Sequence, residues 1–123
     1  YDKAGKIDLV SLNREENTIW LVELKWQDSK ETLLRCVLEV ATYYQLLDKD
    51  TFIQSYTDIL DGLRTDCIHK AVLVFKDGSQ HEEIKEMKDE ERSKLKELVN
   101  SLDINFFLLK ESGLKFTVEK VQL

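Results

Sequence analysis

The alternation of apolar and polar residues predicts two strands near the start of the chain. Residues 6–12 (KIDLVSL) alternate with a period of two, which is typical of a strand with one buried face. Residues 18–27 (TIWLVELKWQ) are rich in β-branched and aromatic side chains and favour a second strand. The polar NREEN segment between them has the composition of a turn. We therefore expect a β-hairpin.

Helical periodicity follows the hairpin. Asp28 with Glu31 three residues later forms a capping-box pattern, which predicts a helix over about residues 30–47. One face of this helix is apolar at steps of three and four residues, through Leu33, Val37, Val40, Tyr44 and Leu47. A second helical stretch is indicated by the spacing of Phe52, Tyr56, Ile59, Leu60 and Leu63.

The second half of the chain predicts a strand, a helix and two more strands. The run HKAVLVFK at 69–76 fits a buried strand. Ser79 and Glu82 form another capping-box pattern, which opens a charged helix over about 80–101. The tail segments INFFLLK and LKFTVEKVQ predict the last strands. The order β-β-α-α-β-α-β-β indicates an α/β fold, a mixed sheet flanked by helices, in a single domain over 1–123.

Composition narrows the class of protein. The chain has a net charge of −6, so a nucleic-acid function requires a local basic patch. No apolar run approaches the length of a transmembrane helix, so we expect no membrane association through one. Two cysteines, Cys36 and Cys67, do not make a disulfide framework, which favours a cytoplasmic location.

The segment VELKW (22–26) carries the candidate chemistry. Period-two alternation separates two faces of its strand. We assign to the core the face with Trp20, Val22, Leu24 and Trp26. Glu23 and Lys25 then share the opposite face with Ile19 and Leu21. Charges within a strongly apolar strand are costly unless they are paired or bind a ligand. The alternative without a function is that Glu23 and Lys25 form an ion pair on an exposed face of the sheet.

The hairpin predicts the partner of Glu23. If it folds symmetrically about residues 15 and 16, position 12 meets 19, position 10 meets 21, and Asp8 lies opposite Glu23. Their Cβ atoms are then about 5 Å apart, and two such carboxylates destabilise a sheet unless a cation lies between them. A turn with an odd number of residues would shift the register and turn Asp8 to the other face.

The chemistry of this pair fits a divalent metal. Mg²⁺ takes oxygen ligands, often one or two carboxylates with water and phosphate in the other positions. We therefore predict that Asp8 and Glu23 hold Mg²⁺ or Mn²⁺. Lys25 beside them is suited to neutralise charge that develops on a phosphate, or to position a water nucleophile.

These residues resemble the PD-(D/E)XK nuclease superfamily, which has the restriction-endonuclease-like fold. The resemblance rests on GKIDLV, on VELK with fifteen residues from Asp to Glu, and on the helix that follows. It implies a core of one helix, three strands, a helix and a strand, of which the first helix is expected to be missing from this chain. It also implies metal-dependent hydrolysis of phosphodiester bonds, with Asp8, Glu23 and Lys25 as the catalytic residues.

The following helix adds a polar stripe of Arg35, Glu39 and Tyr43. Many members of the superfamily carry a Gln-x-x-x-Tyr-like element or an additional acid on this helix, and Glu39 and Tyr43 match that spacing. The resemblance therefore implies accessory roles, in which Glu39 either orients Lys25 or supports a metal through water, and Arg35 contacts a phosphate. A helix-surface ion pair with a tyrosine lying on the sheet explains the same stripe equally well.

Two functions from different classes follow. The first is a nuclease acting on nucleic acid, with DNA expected, that binds it through a basic patch including Lys3, Lys6, Lys30 and Arg35. We expect an acidic domain of this size to need either a homodimer or an attached domain to bind nucleic acid. The second is a catalytically inactive nuclease-like module that binds a protein partner. The first requires Asp8 and Glu23 on the same face of the sheet.

Overall fold

The computed structural model describes residues 6–123. Nine regular elements follow one another in this order: β1 (Leu9–Asn13), β2 (Thr18–Lys25), α1 (Leu33–Leu46), α2 (Lys49–Gln54), β3 (Ile68–Phe75), α3 (Ser79–Lys88), α4 (Ser93–Ser101), β4 (Ile104–Ser112) and β5 (Lys115–Lys120). A 3₁₀ turn over Thr65–Cys67 precedes β3. None of the helices in this part of the chain is long and apolar enough to cross a membrane.

The strands form one five-stranded mixed sheet in the order β1-β2-β3-β4-β5. The outer pairs β1–β2 and β4–β5 are antiparallel, whereas β2–β3 and β3–β4 are parallel. Parallel neighbours need a crossover connection, and the segments with α1–α2 and α3–α4 supply the two crossovers. The predicted α/β class with a mixed sheet is confirmed.

The β1–β2 hairpin has the predicted register. Four residues separate Asn13 from Thr18, and the Asn13 side chain accepts a hydrogen bond from the Glu16 backbone N–H. Asn17 at the end of the turn has φ 55°, a left-handed conformation that asparagine tolerates better than most residues. The even turn pairs position 12 with 19 and 10 with 21, as expected.

The assignment of the core face was wrong. The helices cover the face of β2 that carries Ile19 and Leu21, not the face with the two tryptophans. On this covered face, Leu21 packs with Val72 of β3 and Phe106 of β4 in one apolar cluster. The error arose because both faces of β2 are apolar, so periodicity alone does not tell which one the helices cover.

The predicted helix starts were also wrong. Thr32, not Asp28, caps α1, and its hydroxyl oxygen accepts a hydrogen bond from the Arg35 N–H at 3.3 Å. The N–H of Leu33 donates to the Glu83 carboxylate at 2.8 Å, so a side chain 50 residues away helps to cap this helix. The capping box assigned to Ser79 is not formed, because that serine hydroxyl donates to the Ser29 carbonyl instead.

Two predicted helices are shorter than the periodicity indicated. The second ends at Gln54 and continues as turns, so only part of the predicted apolar stripe is helical. The charged helix predicted over 80–101 divides into α3 and α4. Glu90 lies between them with φ 64°, which a continuous right-handed helix cannot accommodate.

The other face of the sheet is apolar and open along much of its length. Trp20 stacks on His69 at 4.8 Å and meets the edge of Phe107 at 5.5 Å between ring centroids. Trp26, which was predicted to be a core residue, is 64% exposed. The predicted flanking of the sheet by helices therefore holds for one face of the described chain.

Adjacent leucines of α1 provide a test of this packing. Leu33 is fully buried, whereas Leu34 is 44% exposed. We expect Leu33→Ala to lower the free energy of unfolding by about 2–5 kcal/mol, because it removes buried methyl groups and leaves a cavity. Leu34→Ala should change it by less than about 1 kcal/mol. Urea denaturation of both variants measures the difference, and equal losses would contradict the assigned helix face.

Candidate functional site

Asp8 lies directly before β1, where the hairpin register continues to the middle of β2. Because position 9 pairs with position 22, the next pair along the hairpin is Asp8 with Glu23. The Asp8 carboxylate accepts a hydrogen bond from the Leu24 N–H at 2.8 Å, which ties it to β2. Its side chain also interacts with the Glu23 carboxyl group. The two acids therefore lie on the same face of the sheet.

Glu23 is a buried carboxyl group surrounded by other acids. Only 4% of the residue is exposed, which excludes the exposed surface pair considered as an alternative. Burial raises the pKa of Glu23 to about 9, and hydrogen bonds and charge repulsion from Glu39 and Asp8 act in the same direction. Glu23 consequently carries a proton at neutral pH, so the cluster of acids avoids part of its mutual repulsion.

Lys25 lies one pleat further along the same face, and 11% of its side chain is exposed. Its ammonium nitrogen lies 2.6 Å from the Glu31 carboxylate, 3.6 Å from that of Glu39 and 3.9 Å from that of Glu23. Burial opposes its charge, but the hydrogen bond to Glu31 and the nearby acids raise the pKa of Lys25 to about 12. Lys25 is therefore a fixed positive charge at neutral pH.

Glu39 contacts the strand residues from the helix that covers this face of the sheet. It lies on α1, and its carboxylate contacts both Lys25 and the Arg35 guanidinium, the latter at 3.1 Å. The hydrogen bond with Glu23 lowers the pKa of Glu39, and Arg35 and Lys25 act in the same direction. The pair thus holds one proton, on Glu23, and one negative charge, on Glu39.

The other predicted residues are placed differently. Tyr43 packs against the apolar core, and in the described chain its hydroxyl makes no hydrogen bond to the acids. Lys6, Lys30 and Arg35 are exposed, and of these Arg35 contacts Glu39, so the basic patch stays a prediction. Lys3, which was assigned to the same patch, lies outside the described residues.

Two residues at the site were not predicted to act there. Glu31 was interpreted as part of a capping box, but it makes the shortest contact of Lys25. Cys36 lies in the first turns of α1 beside the cluster, and burial raises the pKa of its thiol to about 12, so it remains neutral. No spacing in the sequence identifies Glu31 and Cys36 as site residues, because the path of the chain between β2 and α1 determines which side chains lie beside Lys25.

The donors available to a metal are the carboxylates of Asp8 and Glu23. Within residues 6–123 no group of three or more His, Cys, Asp or Glu side chains is arranged to hold a metal ion. Two adjacent carboxylates nevertheless match the donor chemistry of Mg²⁺, which commonly keeps several waters and completes its shell with phosphate oxygens. The magnesium site at Asp8 and Glu23 therefore stays a prediction, and it requires that Glu23 lose its proton.

Comparisons with protein-family models, with curated proteins and with solved structures found no match to this chain.

The raised pKa of Glu23 has a consequence for stability. The folded chain binds this proton more tightly than the unfolded chain, whose carboxyl titrates near 4.5. The stabilisation is complete below about pH 4.5 and is lost progressively as the pH rises towards 9. We expect Glu23→Gln, which retains a neutral hydrogen-bonding group, to be more stable than the parent at pH 8 by about 1–3 kcal/mol.

Denaturation of both proteins between pH 5 and pH 9 measures this difference. The advantage of the Gln variant should grow across that range, because the shift of Glu39 acts mainly at lower pH and that of Lys25 at higher pH. A difference that stays constant with pH would contradict the protonated state of Glu23. Glu82→Gln, at an exposed position of α3, is the matched control.

Proposed function

We propose that this domain is a divalent-metal-dependent nuclease of the PD-(D/E)XK type, and that it hydrolyses phosphodiester bonds of nucleic acid, with DNA as the expected substrate. The observation that carries the proposal is the convergence of Asp8, Glu23 and Lys25 on one face of the sheet, with Asp8 opposite Glu23 as the hairpin register predicts. Chance occurrences of the motif do not require this convergence.

The arrangement of elements supports the same proposal. The antiparallel β1–β2 hairpin, the helix α1 and the parallel strand β3 follow one another as do the strand, strand, helix and strand of the restriction-endonuclease-like core. The first helix of that core and one of its opening strands have no counterpart within residues 6–123. The proposal therefore rests on the site and on the part of the core around it.

In this proposal Asp8 and Glu23 are the metal ligands. A bound Mg²⁺ or Mn²⁺ supplies positive charge for the phosphate and lowers the pKa of a coordinated water. Glu23 must lose its proton to act as a ligand, and that proton is released to solvent, because the contacts with Lys25 and Arg35 keep Glu39 ionised. The cluster is thus poised to exchange a proton for a cation.

Lys25 and its surroundings act on the substrate. Because its pKa is about 12, Lys25 acts as a positive charge directed at the phosphate rather than as a general base. Glu39 orients Lys25, and the exposed Arg35, Lys6 and Lys30 contact the phosphate backbone. These basic groups provide the local attraction that a chain with net charge −6 needs.

One observation favours a second function. Lys25 is 2.6 Å from Glu31, and Glu23 is protonated, so the charges of Lys25 and Glu23 are already neutralised within the site. A self-neutralised cluster of this kind is also what a nuclease-like fold without catalysis would retain for structure. The second proposal is accordingly an inactive module that binds a protein partner.

A cleavage assay distinguishes the two functions. The full-length protein is incubated with Mg²⁺ or Mn²⁺ and with single-stranded, duplex and branched nucleic acids, beside Glu23→Gln, Lys25→Ala and the control Glu82→Gln. We expect cleavage by the parent and the control, and a loss of about 100-fold or more in both site variants. Glu23→Gln removes a metal ligand, and Lys25→Ala removes a positive charge directed at the phosphate. Activity that survives both substitutions would contradict the site, and inactivity of the parent on every substrate would favour the binding module.

Metal binding should depend on pH even without substrate. Because a cation must displace the proton of Glu23, we expect Mn²⁺ affinity to rise with pH towards 9, by up to about tenfold per unit. Isothermal titration calorimetry with Mn²⁺ at several pH values measures this slope. Glu23→Gln should weaken binding and abolish the slope, and binding by the parent that does not change with pH would contradict ligation by Glu23.

A further inference from the structure

β5 is an edge strand of the sheet, at the end opposite β1. All six of its residues are exposed, including Phe116 at 60% and Val118 at 58%. One edge pairs with β4, and the other carries unpaired backbone groups. Such an edge is a template for pairing with another strand.

The direction of the backbone groups follows from the ladder with β4. The N–H of Val121 donates to the carbonyl of Phe106 at 2.9 Å, so residue 121 directs its backbone towards β4. Because the direction alternates along a strand, the odd-numbered residues of β5 point towards β4 and the even-numbered ones point away. Phe116, Val118 and Lys120 therefore present their N–H and C=O groups at the open edge.

A second copy of β5 can form hydrogen bonds with these open-edge backbone groups in an antiparallel register. Residues whose backbone groups point outward must pair with each other. A two-fold axis therefore has to pass midway between the two copies of one residue of β5, and each axis is named by that residue. With the axis at Thr117, Phe116 pairs with Val118 of the second copy, and Lys115 lies opposite Glu119 of the second copy. Both pairs occur twice, and each joins complementary side chains. Glu119 also pairs with Lys110 of β4 in its own copy, so its carboxylate would lie between two lysines in the dimer.

The neighbouring registers lack this complementarity. An axis at Phe116 places Lys115 opposite Thr117, and an axis at Val118 places Glu119 opposite Thr117. Neither forms an ion pair between the copies. Lysines on an edge strand normally discourage pairing, but the register centred on Thr117 matches Lys115 with an acid and leaves Lys120 at the end of the ladder.

We propose that β5 is a dimerisation strand. Two copies of this chain join β5 to β5 about a two-fold axis that passes between their Thr117 residues. The two five-stranded sheets then form one ten-stranded sheet. Phe116 and Val118 lie on the open side of the sheet, where they extend its apolar face across the axis. This dimer does not depend on the nuclease function, since the catalytic cluster lies on β2 and α1.

Sedimentation velocity and light scattering over a range of concentrations test the dimer in the full-length protein. Val118→Pro removes an outward-pointing N–H and leaves the ladder with β4 intact, so it should convert the dimer to a folded monomer. Lys115→Glu and Glu119→Lys should each weaken the dimer by about tenfold or more, because like charges then face each other twice. The double swap of both residues should restore part of the affinity, because the lysine at position 119 then pairs across the axis but also lies beside Lys110.

Two controls keep the outcome interpretable. Lys94→Glu, an exposed position on α4, makes the same change of charge away from β5 and should leave the dimer unchanged. Circular dichroism confirms that each variant is folded, and the charge variants remain informative if the proline variant does not fold. A parent that is monomeric at all concentrations would overturn the proposal. So would a dimer that persists in folded Val118→Pro, or single charge variants that leave the dimer affinity unchanged.

Discussion

The burial of two ionisable side chains beneath α1 is the constraint on which the site depends. Glu23 and Lys25 project from β2 into the side of the sheet that the helices cover, where most neighbouring positions are apolar. Burying charge is costly unless it is paired, hydrogen-bonded or neutralised. The chain meets this requirement in two ways. Glu23 retains a proton, and Lys25 is surrounded by the carboxylates of Glu31 and Glu39.

This requirement links the local structure of several segments. The loop after β2 must return Glu31 to Lys25, so α1 begins at Leu33 rather than earlier. Glu83 of α3 then caps α1 through the Leu33 N–H, which couples the second crossover to the first. A change in any of these segments would alter the electrostatic environment of Lys25 without touching it directly.

The two faces of the sheet have different roles. The helix-covered face combines the apolar core with the acid cluster, whereas the other face is apolar and open. An active nuclease would use the first face for chemistry. A binding module would have both the neutralised cluster and the open face at its disposal. The edge at β5 adds a third surface, which acts through backbone groups rather than through either face.

The sequence by itself was sufficient for the hairpin, its register and the alternation of strands with helical crossovers, because these depend on local periodicity and on the number of residues in one turn. It also placed Asp8 opposite Glu23, since a four-residue turn brings those positions together. The tertiary structure alone decided which face of β2 is covered. Both faces are apolar, and only the packing of α1 on the face with Leu21 distinguishes them.

The partner of Lys25 was likewise decided by tertiary structure. Glu31 matched a local capping pattern, but Thr32 capped the helix and left Glu31 free to meet a buried ammonium group. A helix cap exchanges one exposed hydrogen bond for another, whereas the contact of Glu31 with Lys25 compensates a buried charge. Leaving that charge uncompensated would cost more free energy than losing the cap, so Glu31 pairs with Lys25. Local patterns determined which elements form, and the energetics of the buried charges determined how the site around them was assembled.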